Sequence, residues 1–343
     1  MNFPKFWAKG HSGVFSVWRW SDSSTDEARS GAQAAAEQLA AQFAAGELSN
    51  AYSYGNRPMR EPVLREVRNA AGEVTSVVTR NSYGCQVLNS AVALFVDVDL
   101  PDQKPKSGGL FGSLFGRRTA EPEDPAKAAI AKATAWAHSH PGWNWRIYRT
   151  KAGLRLLATH GLFDPADPVC ERVFAAVDAD PLYRKLCQTQ KCFRARLTPK
   201  PWRCKLPHAP ARWPFENAAE EHAFGNWDAK YHTACVIKAT CLLLDKGSGE
   251  VHEELREIVK LHDQTTRATS PGFELASSIN WNSRPNRMTR SIVANHFSTE
   301  TGPPDVAHYR WAIRRRYPWL GNRSRSPLLA VCRPTRMADG STR

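Results

Sequence analysis

Alternating apolar and polar positions predict several short strands in the first hundred residues. Residues 14–20, VFSVWRW, have the period of two that is typical of a strand with one buried face. Two further runs, PVLREVRN and EVTSVVTRN, flank an Ala-Ala-Gly turn and predict a β-hairpin. The next run, AVALFVDVDL, is almost continuously apolar, which favours a central strand buried on both faces.

Helical patterns alternate with these strands. The Ala-rich segment after the strand at residues 14–20 begins with Ser24 and Glu27, which have the spacing of a capping box. The segment PAKAAIAKATAWAHSHPG has Pro near its start and Pro-Gly after its end, as a helix often does. DPVCERVFAAVDADPLYRKLCQTQ predicts a helix that is interrupted near Asp180-Pro181. Two amphipathic helices, NWDAKYHTACVIKATCLLLD and EVHEELREIVKLHD, are expected between residues 226 and 263.

The order of these patterns indicates the fold class. WNWRIYRT, LRLLATH and KCFRARL add three strands, so residues 91–197 have the order β-α-β-β-α-β. This is the split arrangement of ferredoxin-like and RRM-like sheets, in which helices form the crossovers. We therefore expect an α+β protein.

Four regions follow from the same patterns. Residues 1–84 form an N-terminal strand–helix and hairpin region, and residues 85–210 form the β-α-β-β-α-β unit. Within that unit, the segment 101–124 is rich in Pro, Gly and charge and is expected to be a flexible insertion. Residues 211–308 are expected to be helical, and residues 309–343 form an arginine-rich tail.

Composition narrows the class of protein. The chain has 343 residues, 42% of them hydrophobic, with no apolar run long enough to span a membrane and no signal-like N-terminus. Eight cysteines are too few for a disulfide scaffold, which indicates the reducing cytoplasm. The net charge of +14 favours a polyanionic partner, usually nucleic acid, over the alternative that the charge only maintains solubility. No membrane partner is expected, and the oligomeric state is not predicted.

The pair Asp97 and Asp99 ends the most apolar strand. Residues i and i+2 of a strand point to the same face, so both carboxylates emerge together. Carboxylates this close repel each other unless a cation compensates them, and the oxygen-binding ions Mg²⁺ and Mn²⁺ are suited to that role. The alternative is that the two aspartates only end the strand and cap a loop.

Two further segments have residues suited to phosphate. The turn Thr150-Lys151-Ala152-Gly153-Leu154-Arg155 combines a hydroxyl, a glycine and cations, although an ordinary hairpin turn has the same composition. Residues 191–205, KCFRARLTPKPWRCK, hold six basic residues and no acid. Arg194 and Arg196 share one face of a strand there. Lys200 and Arg203 follow in a Pro-flanked loop, where Trp202 can stack on a base.

Together these motifs resemble the archaeo-eukaryotic primase superfamily, whose primase-polymerases have an RRM-like palm. FVDVD corresponds to its hydrophobic-Asp-hydrophobic-Asp strand, TKAGLR to its Ser-x-x-Gly-x-His turn, and AVDAD to the position of its third acid. RARLTPKPWR is similar to its final strand and turn but lacks that motif's Gly and Asn. The resemblance covers residues 85–205. Arg155 replaces the family's phosphate-binding histidine, and Asp178 is favoured over Asp180 as the third acid.

The resemblance implies a metal-dependent nucleotidyltransferase that uses nucleoside triphosphates on a single-stranded DNA or RNA template. It assigns two Mg²⁺ or Mn²⁺ ions to three carboxylates, namely Asp97, Asp99 and Asp178. The triphosphate would bind a set of polar and basic residues, namely Thr150, Lys151, Arg155, Arg194 and Arg196. The template would bind Lys200, Trp202 and Arg203.

Other functions remain open. One is a non-catalytic protein that binds single-stranded DNA or RNA in replication, and another is a metal-dependent nuclease or relaxase that uses His138, His140 and Tyr183. Cys187, Cys192, Cys204 and His208 have a spacing that zinc can use, but thiols in the core or at the surface are favoured. His262 and Asp263 are expected at the exposed end of a charged helix.

Overall fold

The computed structural model describes residues 1–47, 58–101 and 124–276. The interior of the predicted insertion, the end of the predicted helical region and the arginine-rich tail therefore lie outside the described residues. In chain order the elements are β1 (Phe6–Ser12), β2 (Phe15–Ser21), α1 (Thr25–Ala44), β3 (Val63–Arg68), β4 (Val74–Arg80), β5 (Gln86–Ser90), β6 (Phe95–Asp99), α2 (Pro125–Ser139), β7 (Trp145–Thr150), β8 (Gly153–Ala158), α3 (Pro168–Ala176), α4 (Pro181–Gln190), β9 (Phe193–Arg196), α5 (Ala218–Cys235), β10 (Cys241–Asp245) and α6 (Arg256–Thr266). The predicted α+β class is confirmed.

The N-terminal unit is the hairpin β1–β2 covered by α1. The helix begins as predicted, because the backbone N–H of Glu27 donates to Ser24 Oγ at 3.1 Å. The Glu27 carboxylate accepts from the Ser21 hydroxyl at 2.6 Å, which ties the helix to the end of β2. Strand β1, FWAKGHS, is not predicted by the sequence, because its polar and small residues do not alternate with apolar ones.

The central sheet has the strand order β10-β7-β8-β6, with every pair antiparallel. Strands β6, β7 and β8 match the predicted runs. β10 is a correction: the segment CLLLD, expected to end a helix, pairs instead with β7. Helix α5 stops at Cys235, and the leucine-rich segment beyond it covers the free edge of the sheet. The region 211–308 is therefore not entirely helical.

The second sheet has the order β3-β4-β5-β9, so the predicted hairpin β3–β4 joins strands from the following region. A ferredoxin-like sheet would pair β9 with β6, whereas here β9 pairs with β5. The outer edge of β6 is already occupied. The Tyr183 hydroxyl donates to the Phe95 carbonyl at 2.7 Å, and the Asp180 N–H donates to the Asp97 carbonyl at 3.2 Å. Both donors belong to the start of α4, which thereby takes the place of a fourth strand.

One core joins these elements. Val96 and Leu156 of the central sheet lie in the same buried cluster as Ala133 of α2 and Val173 of α3. The opposite face, which contains Phe95, is covered by α6, whose His262 ring lies 5.3 Å from the Phe95 ring. None of the helices in the described part of the chain is both long and apolar enough to cross a bilayer.

Candidate functional site

Asp97 and Asp99 lie on one face of β6, as the strand period requires. Asp97 is opposite Arg155 on β8 and Asp99 is opposite Gly153. Gly153 is required at this point, because a Cβ added there would lie 1.9 Å from the Val98 carbonyl oxygen. The glycine of the predicted turn therefore allows β8 to approach the acidic end of β6. Asp97 is half-buried and Asp99 is exposed.

The acidic pair is compensated at only one end. Arg155 Nε donates to Asp97 Oδ1 at 2.8 Å and its Nη2 donates to Oδ2 at 3.3 Å. Its Nη1 donates to the Arg196 carbonyl at 2.9 Å, and the residue is only 2% exposed. Although burial lowers the pKa of Arg155, the Asp97 carboxylate outweighs it and the net pKa is raised. The buried guanidinium is thus held by Asp97, and the expected contact of Arg155 with phosphate is not available in this arrangement.

The acid that approaches the pair is Asp180, not Asp178. The Asp178 carboxylate is exposed and forms an ion pair with Lys132 of α2. The Asp178 backbone lies in a turn, with a φ of 53°. The Asp180 backbone is hydrogen-bonded to Asp97, and its Oδ1 caps α4 by accepting from the Tyr183 N–H at 2.7 Å. In the described part of the chain, no three His, Cys, Asp or Glu side chains lie close enough to hold a metal ion together. The expected triad of Asp97, Asp99 and Asp178 therefore does not converge.

Asp99 lies where negative charge accumulates. Burial raises its pKa, and the neighbouring Asp180 and Asp97 carboxylates raise it further, while Lys200 and Arg196 act in the opposite direction. Asp99 forms no ion pair within the described residues, unlike Asp97. The end of β6 therefore contains a carboxylate that is crowded by like charges and faces cations without bonding to them.

Those cations form what we call the free basic cluster, Arg196, Lys200 and Arg203. None of them makes a salt bridge with a described residue, and the buried Nε atoms of both arginines lack a hydrogen-bond partner there. Burial and the charges of both arginines lower the pKa of Lys200. Burial and Arg196 likewise lower the pKa of Arg203. Three cations held together with donors unused form a site to which an anion can bind.

An aromatic group borders the free basic cluster. Trp202 lies in a 3₁₀ turn, Pro201–Cys204, and its ring is 5.3 Å from Tyr83 in an edge-on arrangement and 4.9 Å from His208. The Lys200 Nζ lies 5.3 Å from the centre of the Trp202 ring. Sequence reasoning missed Tyr83, which is 37% exposed and lies in the turn after the predicted hairpin. Tyr83 lies more than a hundred residues before Trp202 and His208 in the sequence, so no local pattern joins it to them.

The other expected phosphate ligands have different surroundings. Arg194 bonds to both carboxylate oxygens of Glu61, at 2.7 and 2.8 Å. The Thr150 hydroxyl accepts from the Gly153 N–H at 3.0 Å and so closes the turn between β7 and β8. Lys151 is exposed in that turn. Only Lys151 of these three has its charge open to a ligand.

His262 and Asp263 are the clearest correction, because they are buried and not at the surface. His262 is 0% exposed. Its Nδ1 lies 3.0 Å from Asp263 Oδ1 and its Nε2 lies 3.5 Å from Arg155 Nη1. Asp263 also accepts from the Tyr148 hydroxyl at 2.8 Å and pairs with Arg146 at 2.5 Å. A polar network thus links Asp97 through Arg155 and His262 to α6.

The residues of the nuclease and zinc alternatives lie elsewhere. His140 stacks on Trp136, with ring centres 3.8 Å apart, and His138 is exposed in the last turn of α2. The Tyr183 hydroxyl, which a relaxase would use as nucleophile, is buried and bonded to Phe95. Cys204 hydrogen-bonds to Cys235, which lowers the pKa of Cys204.

Comparisons with protein-family models, with curated proteins and with solved structures found no match. The interpretation of the site therefore depends on its own geometry.

Proposed function

We propose that the chain is a nucleotidyltransferase of primase-polymerase type that extends a strand on a single-stranded nucleic acid. The observation that carries this proposal is the free basic cluster next to Asp99. Three cations without carboxylate partners in the described part of the chain face a carboxylate that like charges crowd, and this arrangement is suited to phosphates and a compensating cation. In the reaction a hydroxyl oxygen bonds to the α-phosphorus and gives up its proton to water, and the bond to the leaving pyrophosphate breaks.

The basic residues then have separate roles. Arg196 and Arg203 bind the triphosphate through their partly exposed guanidinium groups, and Lys200 neutralises its remaining charge. Trp202 and Tyr83 offer ring faces to a template base. Arg155 does not bind the nucleotide. Its hydrogen bonds to the Asp97 carboxylate fix the orientation of that side chain, and its hydrogen bond to the Arg196 carbonyl links β6 to β9.

The carboxylates near the end of β6 are better suited to one divalent ion than to two. Asp180 keeps Oδ2 without a hydrogen bond among the described residues, and it acts on Asp99 as a like charge. We therefore assign the role of the third acid to Asp180 and not to Asp178. Asp99 and Asp180 are the residues that would hold Mg²⁺ or Mn²⁺. Such an ion, when bound, would activate the attacking hydroxyl and offset the charge of the phosphates.

The fold supports the proposal in part. Strands β7, β8 and β6 have the order of the corresponding strands in an RRM-like palm, and α2 crosses between β6 and β7, whereas α3 and α4 lead to β9 in the second sheet. We propose that the region is a divergent palm in which α4 has displaced the fourth strand from β6.

A second function has its own observation in its favour. Asp97 already has a bidentate arginine partner, so one of the two strand carboxylates needs no metal to compensate it. This favours a non-catalytic protein that binds single strands through the free basic cluster.

One assay decides between the two functions. The full chain is incubated with a single-stranded template, a primer, labelled nucleoside triphosphates and Mg²⁺ or Mn²⁺, with and without chelator. We expect metal-dependent incorporation that falls at least a hundredfold in Asp99→Asn and persists in Asp22→Asn, which changes an exposed carboxylate elsewhere. Salt-sensitive strand binding without any incorporation, unchanged in Asp99→Asn, would establish the binding function instead. Incorporation that survives both Asp99→Asn and the Asp97/Asp99 double substitution would refute the assigned carboxylates.

A further inference from the structure

A second cleft, separate from Asp99, lies beside the opposite end of β9. It has a volume of about 690 Å³ and is bounded by the segment 58–62, the turn 81–84, the end of α4 and the segment 211–215. This volume is within the range of clefts that bind small ligands. Arg194 and its partner Glu61 line it, whereas Asp99, Asp180 and the free basic cluster are not among the described residues that do.

Two of the arginines that line the cleft are engaged with acids. Arg80 donates to both carboxylate oxygens of Asp228, at 2.6 and 2.9 Å, and Arg194 is held by Glu61. These ion pairs fix the walls. Their charges are compensated, so they are not the groups that would attract a ligand.

The other two arginines of the cleft are uncompensated. Arg60 and Arg212 make no ion pair with any described residue. Burial lowers the pKa of Arg60, and the charge of Arg212 lowers it further, whereas the Glu216 carboxylate acts in the opposite direction. The Arg60 guanidinium lies 4.3 Å from the Trp18 ring centre, which fixes its position without neutralising it. Two like charges are therefore held at the mouth of the cleft.

Aromatic rings form the rest of the wall. Phe215 and Phe224 lie 5.1 Å apart, and both are half-buried. Trp213 also lines the cleft, is half-buried and contacts no other ring in the described part of the chain. A half-buried tryptophan without a ring partner offers a face for a planar group.

We propose that this cleft binds one nucleotide unit of a single strand, with its base against Trp213 and its phosphate between Arg60 and Arg212. Stacking on aromatic rings together with cations for the backbone is how proteins hold single strands. Arginines suit phosphate because they form two parallel hydrogen bonds with it. An apolar ligand would leave both charges unused, and an anion without a ring would leave Trp213 unused.

The position of the cleft favours a strand over a free nucleotide. Arg194 lines the cleft and Arg196 belongs to the free basic cluster, and the two side chains share one face of β9. Two residues along a strand span roughly 6.6 Å, so one bound chain can occupy both places. This inference rests on the nucleic-acid partner of the proposed function but not on its catalysis.

The test uses the full chain, chelator, and a fluorescent twenty-nucleotide oligodeoxythymidylate, so that no reaction takes place. We expect Arg212→Glu to weaken binding about tenfold, whereas Arg172→Glu, the same charge change on exposed α3, leaves binding within about twofold. Trp213→Leu should weaken binding about tenfold and Trp213→Phe should restore most of it. In addition, an oligonucleotide with 5-iodouracil should crosslink to the segment 211–215 on irradiation.

Three results would overturn the inference. Equal losses in Arg212→Glu and Arg172→Glu would mean that only overall charge matters. Crosslinks confined to other segments would place the strand elsewhere. Competition by thymidine monophosphate as effective as competition by the oligonucleotide would assign the cleft to a free nucleotide. A chain that binds the strand through this cleft and incorporates no nucleotide would refute the proposed catalysis and leave this inference standing.

Discussion

Two sets of basic residues lie within a few strands of each other and differ in what holds them. The paired arginines, Arg146, Arg155 and Arg194, each bond to a carboxylate, namely Asp263, Asp97 and Glu61. The free basic cluster has no such partners among the described residues. The first set joins elements of the fold, and the second set is what remains for a ligand.

For Arg155 the pairing follows from the cost of burying charge. A buried guanidinium without a partner is unfavourable, so Arg155, which is 2% exposed, requires Asp97. The residues of the free basic cluster are only partly buried. Their mutual repulsion is tolerated in the fold and is relieved when an anion binds. The following predictions test this division.

The largest effect is expected at Arg155. Replacing it with methionine leaves Asp97 without its partner and removes the bond to the Arg196 carbonyl. Breaking a buried ion pair costs about 3–5 kcal/mol, and we expect the lower end, about 3 kcal/mol, because the Asp97 side chain is 35% exposed. Urea unfolding of Arg155→Met measures this loss.

The matched control is Arg196→Met, on the neighbouring strand but in the free basic cluster. Its free energy of unfolding should stay within about 0.5 kcal/mol of the wild type. If Arg196→Met destabilised the protein as much as Arg155→Met, the two sets would not differ in their role.

The next largest effect is a loss of stability at low pH caused by His262, which is buried beside the paired arginine Arg155. Its Nδ1–H donates to Asp263 and its Nε2 accepts from Arg155, so the neutral ring satisfies both neighbours. Burial lowers its pKa from 6.5, and Arg155 lowers it further, while Asp263 acts in the opposite direction. The unfolded chain therefore binds a proton more readily than the folded chain, and stability is lost as pH falls below 6.5.

The slope of that loss should approach 1.4 kcal/mol per pH unit between pH 6.5 and 5. His262→Gln should remove this component, and His222→Gln, at an exposed position on α5, should retain it. Unfolding by urea at several pH values makes the comparison. An unchanged slope in His262→Gln would show that another group causes the acid sensitivity.

Local apolar alternation predicted most of the described strands, but β1, β5 and β10 were not predicted as strands. The runs that became β6, β7 and β8 were found, and Asp97 and Asp99 were correctly expected on one face. The pairing of β9 was not predictable, because it depends on Tyr183 and Asp180 occupying the carbonyls of β6. Those two bonds join residues more than eighty positions apart.

The same limit applies to the site. The segment KCFRARLTPKPWRCK indicated many cations, yet no local pattern distinguishes Arg194, which Glu61 holds, from Arg196, which pairs with no acid among the described residues. His262 was expected at the surface because its helix is rich in charge. It is buried because that helix lies against the sheet face containing Phe95 and Tyr148.

The free basic cluster should make the binding of single strands strongly dependent on salt concentration. Each phosphate contact contributes about 0.7 to the slope of log affinity against log salt for single strands. Replacing Arg196, Lys200 and Arg203 together with methionine should lower the slope by about 2. Fluorescence anisotropy at four salt concentrations measures it. The control replaces three exposed cations, Lys132, Arg172 and Lys260, and its slope should stay near that of the wild type. Equal slopes in the two triple variants would remove the distinction.

The smallest change in the free energy of unfolding is expected for a substitution of Asp99, and the direction of that change tests the charge environment. Burial and the nearby Asp180 and Asp97 carboxylates raise its pKa, so the folded chain binds a proton more readily than the unfolded one. Ionised Asp99 therefore lowers stability above its folded pKa, and the penalty disappears as pH falls below the ordinary value of 3.8. At pH 7 we expect Asp99→Asn to be more stable than the wild type, by less than about 0.5 kcal/mol.

A divalent ion should reverse that order. An ion that binds only the folded chain stabilises it by RT ln(1 + c/Kd), where c is the ion concentration, so Mg²⁺ or Mn²⁺ should raise the melting temperature of the wild type. Asp99→Asn should gain less, while Asp22→Asn should gain as much as the wild type. If the ions stabilise Asp99→Asn fully, the carboxylates at the end of β6 do not hold them. The free basic cluster would then face an acid that it merely balances, and the division between bound and available charge would stand without a metal.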